Sequence, residues 1–115
     1  MKFLMTYAST SKAPPSPQQM AEIGKFSEEM SKAGVLLMTG GLVRPTKGTR
    51  IAYSTGKHTV TDGPYAETKE LIDGFALIKV GSKEEAIKMA QRFMEIAGEG
   101  EGEILQVFDP MEMPG

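Results

Sequence analysis

Residues 74–80, Gly-Phe-Ala-Leu-Ile-Lys-Val, are a β-prone run in which both alternating sets of side chains are apolar. Phe75 and Leu77 point to one side of any strand formed here and Ala76 and Ile78 to the other, so the strand needs cover on both faces of its sheet. Val35-Leu36-Leu37-Met38-Thr39 has the same non-alternating character and reads as a central strand. It runs into Gly40-Gly41, which suits a bulge or the close approach of another backbone.

The rest of the chain supplies only part of that cover. Ser16-Pro17-Gln18-Gln19 places a hydroxyl at a helix N-cap, proline at the first helical position and glutamine three residues after the cap. Met20, Ile23, Phe26, Met30 and Ala33 then recur at spacings of three and four up to Gly34, which predicts an amphipathic helix over 17–33. Ser82-Lys83-Glu84-Glu85 repeats the capping device, and Ala86, Ile87, Ala90, Phe93, Met94 and Ala97 carry a second helix to Gly98. The methionines at 20, 30, 89 and 94 fall on helix faces and read as core filler. Lys2 to Tyr7 and Glu103 to Phe108 read as the first and last strands, the latter after an acidic, glycine-rich loop at 99–102. Arg50 to Tyr53 and His58 to Thr61 flank the turn Ser54-Thr55-Gly56-Lys57, a hairpin at one edge, and residues 66–73 can form a single helical turn.

The order is strand, helix, strand, hairpin, strand, helix, strand. It predicts an α+β fold of split βαβ type with an inserted β-hairpin, both helices lying on one face of a mostly antiparallel sheet. Two helices then cover one face and the other remains apolar. Across four strands that exceeds the few hundred Å² a soluble monomer usually tolerates. A homodimer closing sheet against sheet is therefore expected, stabilised by roughly 25 cal/mol per Å² buried.

With 115 residues the chain has the length of one domain, residues 1–115, and its net charge of −2 offers no basic excess for nucleic acid. No apolar run approaches the roughly 20 residues a membrane span needs, and the first residues lack a signal-peptide pattern, so a cytoplasmic protein with no membrane partner is expected. The absence of cysteine rules out disulfides, thiolate nucleophiles and thiolate metal ligands, and one histidine is too few for the common zinc sets. Nothing in the chain calls for a cofactor. Gly40-Gly41 is a weak phosphate-loop signal, since no capped helix follows it, and a bulge fits it better.

Chemistry concentrates instead at Asp62-Gly63-Pro64-Tyr65. Gly and Pro stiffen that corner, and Asp62 there can serve as a general base or ligand anchor, or simply accept backbone N–H groups and hold the turn. His58 lies four residues earlier on the same strand face, roughly 13 Å away, too far for a direct dyad, and reads first as a solvated turn-proximal side chain. Arg44 and Arg50 flank the loop at 45–49 and could hold an anion, or could be surface charges paired with Glu67 or Glu70. Tyr65, like Tyr7 and Tyr53, offers a hydroxyl to a ligand or an aromatic ring to packing.

The run Thr61-Asp62-Gly63-Pro64-Tyr65-Ala66-Glu67-Thr68-Lys69-Glu70, followed by Gly74-Phe75 and ending in Ile104-Leu105-Gln106-Val107-Phe108, resembles the DGPF subgroup of the YCII-related proteins. The likeness covers nearly the whole chain, with Tyr65 standing where the eponymous motif has phenylalanine. It implies a dimeric α+β barrel on a ferredoxin-like scaffold. Most such proteins have no known function; a few relatives are enzymes, one of them associated with dehydrochlorination of an aromatic ring, and DGPF members are often encoded beside alternative sigma factors. Shorter relatives pair a histidine on the first helix with an aspartate near the loop, and the first helix here has no histidine.

Three functions remain open on these grounds. The first is small-molecule binding or a regulatory accessory role, with the ligand near the Asp62–Tyr65 loop and Arg44, Arg50, Tyr65 and His58 as candidate contacts. The second is a cofactor-free lyase or isomerase using Asp62 for proton transfer. The third is a purely structural or interaction role.

Overall fold

The computed structural model describes residues 1–10, 14–42, 48–63 and 72–112. Strand β1 (Lys2–Ser9) is followed by helix α1 (Pro17–Lys32), strand β2 (Leu36–Gly41), the hairpin β3 (Thr49–Ser54) and β4 (Lys57–Asp62), strand β5 (Gly74–Lys79), helix α2 (Lys83–Ala97), the two-residue β6 (Gly100–Glu101) and β7 (Ile104–Val107). The segments 43–47 and 64–71 lie outside the described residues, and with them the helical turn expected over 66–73.

The main sheet is antiparallel, with β5 between β2 and β1 and with β7 on the far side of β1. That is the ferredoxin-like strand order, an α+β fold. β2, expected at the centre, lies at the edge. Its apolar run mimics a central strand because hydropathy reports cover on the faces, whereas strand order is set by which backbones pair. The irregularity in β2 falls between Leu36 and Met38, ahead of the glycines. Gly40 has a different use, because the ring of Phe75 on β5 would sit 3.0 Å from any Cβ there.

Both helices start where the sequence puts them, by capping geometries that differ. At α1 the Ser16 hydroxyl accepts the Gln19 N–H (3.1 Å) and the Gln19 carboxamide oxygen accepts the Ser16 N–H (3.0 Å), a closed capping box. At α2 the Ser82 hydroxyl accepts the Glu85 N–H, but the Glu85 carboxylate accepts the N–H of Gly81, one residue before the cap. The α1 face turned inward runs through Gln19, Ile23, Phe26, Ser27 and Met30; Met20, expected in the core, is 62% exposed because Gln19 takes its place on that stripe.

Among the described residues only Phe3, Met5, Phe26, Ile78 and Ala86 are buried. Phe3 and Met5 face the helices from β1, with Ile78 beside Phe3 on β5, and Val35, Leu36, Ala76, Met89, Ala90 and Ile104 pack around them. The opposite face carries the row Met38, Leu77, Leu4, Leu105 across β2, β5, β1 and β7. No described element covers that row, and Met38 and Leu105 are 59% and 49% exposed.

The C-terminal strands are fastened to β1 by glycines that have no substitute. A methyl group on Gly102 would fall onto the carbonyl of Thr6, and one on Gly100 would lie 2.5 Å from the carbonyl oxygen of Ala8. Thr6 closes the contact by donating its N–H to the Glu103 carbonyl (2.9 Å) and accepting the Glu103 N–H on its hydroxyl (3.1 Å). Gly24, within α1, has nothing within 4 Å of a Cβ. Gly102→Ala should therefore lower stability by about 1–3 kcal/mol, as overpacking against backbone does. Gly24→Ala should raise it by about 0.5–1 kcal/mol through helix propensity. Urea unfolding followed by circular dichroism measures both; equal effects of the two substitutions would contradict the packing described.

Candidate functional site

Between the helices and the sheet lies a cavity of about 950 Å³. Its walls follow from the two amphipathic stripes: Ile23, Phe26 and Met30 from α1, and Met89, Phe93 and Met94 from α2, above Met5 and Ala76 of the sheet. The methionines at 30, 89 and 94, expected as filler, line this space and bring the conformational adaptability of thioethers to its surface. Arg92 lies over the ring of Phe26, its guanidinium carbon 5.0 Å from the ring centroid.

The cavity has one polar end, where β1, β2 and β5 meet the acidic loop after α2. Tyr7 stands there edge-on to Phe93, with ring centroids 5.3 Å apart at 85°. Its hydroxyl donates to the carbonyls of Gly98 (2.9 Å) and Glu99 (3.2 Å), tying the end of α2 to β1. Gln19 is also committed, since its amide nitrogen donates to the Ala97 carbonyl at 3.4 Å while its oxygen holds the Ser16 N–H.

Asp73 is the carboxylate at this end. Its Oδ2 accepts the Ser9 N–H at 2.7 Å, its own N–H donates to the Tyr7 carbonyl at 2.7 Å, and its carbonyl accepts the Leu42 N–H at 2.8 Å. The half-buried residue thus joins the ends of β1 and β2 to the start of β5 and lines the cavity. Glu99 and Glu103 also line it, and no described lining residue is a lysine, arginine or histidine. The charged side chains among the described lining residues are therefore all carboxylates, beside neutral hydroxyls and carboxamides. Sequence reasoning passed over Asp73; the signal available was an Asp-Gly pair directly before an apolar strand.

The residues singled out from sequence lie elsewhere or outside the described region. Asp62 ends β4, exposed, and its Oδ1 accepts the hydroxyl of Thr49 directly across the hairpin at 2.9 Å. Next to it the Gly63 N–H donates to the Gly48 carbonyl at 2.8 Å and closes the hairpin's root. His58 shares Asp62's face of β4 with Val60 between them, and its ring lies 4.7 Å from that of Tyr53 on the paired strand. Arg50 is on the other face of the hairpin, opposite Thr61, and is exposed. Asp62, His58 and Arg50 are not among the residues lining the cavity. Arg44 and Tyr65 lie outside the described residues.

Among the described residues no three histidine, cysteine or carboxylate side chains cluster to hold a metal ion, and no helix is long and apolar enough to cross a membrane.

Comparison with known proteins gives concordant results. An uncharacterized protein of Rhizobium meliloti (strain 1021) is 33% identical over 98 residues, which are 83% of this chain and 79% of that relative. The family model described as the YCII-related domain matches residues 1–110. With the family model matching nearly its whole length, the chain belongs to the YCII-related family.

Proposed function

We propose that this protein binds a small molecule with an apolar body and a hydrogen-bond-donating or cationic end, held in the cavity between sheet and helices. The observation that carries the reading is the composition of that cavity: aromatic and thioether walls, the carboxylate residues Asp73, Glu99 and Glu103 in its lining, and no cationic side chain among the described lining residues. A volume of about 950 Å³ falls at the upper end of the range of small-molecule sites. A donor head would meet the carboxylate residues Asp73, Glu99 and Glu103, while a ligand carboxylate would meet like charge among them.

A binding or regulatory accessory role follows more directly from this arrangement than catalysis. The lyase or isomerase alternative assigns proton transfer to Asp62, and its support is an accessible carboxylate held in place by Thr49. Among the described residues Asp62 has no matched acid or base in that reading, since His58 is set along the strand beyond Val60 with its ring against Tyr53. Within the family, the Asp62-Gly63-Pro64-Tyr65 run is our ground for placing the chain in the DGPF subgroup. The partner we assign is a second copy, its bare row of Met38, Leu77, Leu4 and Leu105 closing on the same row here.

Matched probes of opposite charge test the binding reading. By titration calorimetry, 1-naphthylmethylamine should bind about tenfold or more tightly than 1-naphthoate, because a hydrogen bond to a charged group contributes about 1.5–3 kcal/mol. Asp73→Asn should erase most of that preference and Asp62→Asn should leave it intact. Tighter binding of the carboxylate, or a preference governed by Asp62, would refute the assignment. Filling the space should act on both probes alike: Ala90→Phe, which adds a ring to a lining position, should abolish binding with the secondary structure intact by circular dichroism.

A further inference from the structure

The hairpin β3–β4 is a separate two-stranded sheet, and every one of its residues is exposed. Its turn is well formed: Thr55 and Gly56 both have positive φ, 50° and 77°, the conformation that matches the twist of paired strands. Its two faces differ. Thr49 with Asp62, Ile51 with Val60 and Tyr53 with His58 lie on one face, and Arg50 with Thr61, Ala52 with Thr59 and Ser54 with Lys57 on the other. Ile51, Tyr53 and Val60 are 70%, 67% and 64% exposed. A lone two-stranded hairpin is marginal in water, and among the described residues both of its strands are open edges.

The whole chain is correspondingly open. It measures 45 × 43 × 19 Å with a radius of gyration of 16.3 Å, against about 13 Å for a compact domain of this length. Its accessible surface is 8719 Å², whereas a folded monomer of 12.5 kDa exposes about 6,200 Å². An arm with an apolar face and a broad apolar sheet on one chain are the two halves of an interface that a two-fold axis closes.

We infer that the hairpin is a dimerisation arm whose Ile51–Tyr53–Val60 face packs on a second copy of this chain, forming one interface with the bare sheet face. The inference extends the pairing of sheet faces proposed above, and the variants separate the two. Ile51→Arg acts on the arm's apolar face, Thr59→Arg on its polar face and Leu105→Arg on the sheet. Sedimentation velocity over a dilution series should show a dimer for the natural sequence and for Thr59→Arg. For Ile51→Arg the dissociation constant should rise by about a hundredfold or more, as expected when a charge is buried unpaired in an interface. A natural chain that sediments as a monomer, or Ile51→Arg that dimerises as tightly as Thr59→Arg, overturns the inference. If Leu105→Arg alone dissociates the dimer, the arm is refuted while the sheet pairing stands.

Labelling gives a readout that does not depend on a tolerated arginine. The chain contains no cysteine, so Val60→Cys and Thr59→Cys each accept a single nitroxide. Accessibility to a water-soluble relaxation agent should fall at position 60 and not at position 59 as concentration rises. Equal, concentration-independent accessibility at the two positions overturns the arm.

Discussion

The structure depends on an imbalance between the sheet and what can cover it. Four strands present apolar side chains on both faces, and the two helices are long enough for one. On that side Phe3, Met5 and Ile78 are buried beneath Ala86, while on the other Leu4 and Leu77 are only partly covered and Met38 and Leu105 stand open. Five buried side chains among the described residues make a thin core for a chain of this length, and much apolar surface stays exposed on the single chain. The flat outline and the projecting hairpin express the same deficit.

The same thin core makes room for a site. Ile78 and Ala86 are the most fully buried side chains, and beside them the space between helices and sheet is a cavity walled by Phe26, Met30, Phe93 and Met94. The polar end of that cavity is rigid because its parts are bound to one another. Asp73 joins three segments through its backbone and carboxylate, Tyr7 clamps the end of α2, and Gly100 and Gly102 let the acidic loop lie directly on β1. A ligand's head group would meet groups already ordered, which lowers the entropic cost of binding.

Much of this is legible in the sequence, where the signal is local. The Ser16–Gln19 box sets the start of α1, Gly34 and Gly98 follow the two helices, and Thr55-Gly56 sets the hairpin turn. The imbalance itself can be read from Phe75, Ala76, Leu77 and Ile78. What is not legible depends on partners distant in the chain. β2 looks central because its side chains are apolar, and only backbone pairing makes it an edge. Met20 continues the helical spacing, yet Gln19 takes the inward position because its amide can reach Ala97. Asp73 gains its place from bonds to Ser9, Tyr7 and Leu42, none of them near in sequence, whereas Asp62 draws attention through the glycine and proline beside it. Local stiffness marks a corner; it does not mark which corner faces the cavity.

The central claim is that the open sheet face is covered in the native protein, and two methionines test it directly. Met20 and Met38 are almost equally exposed in the single chain, at 62% and 59%, but Met20 lies on a helix surface and Met38 in the bare row. Under mild peroxide, with oxidation followed residue by residue by mass spectrometry, Met20 should be oxidised rapidly and Met38 slowly. Equal rates for the two would show the sheet face open to water and would contradict the account.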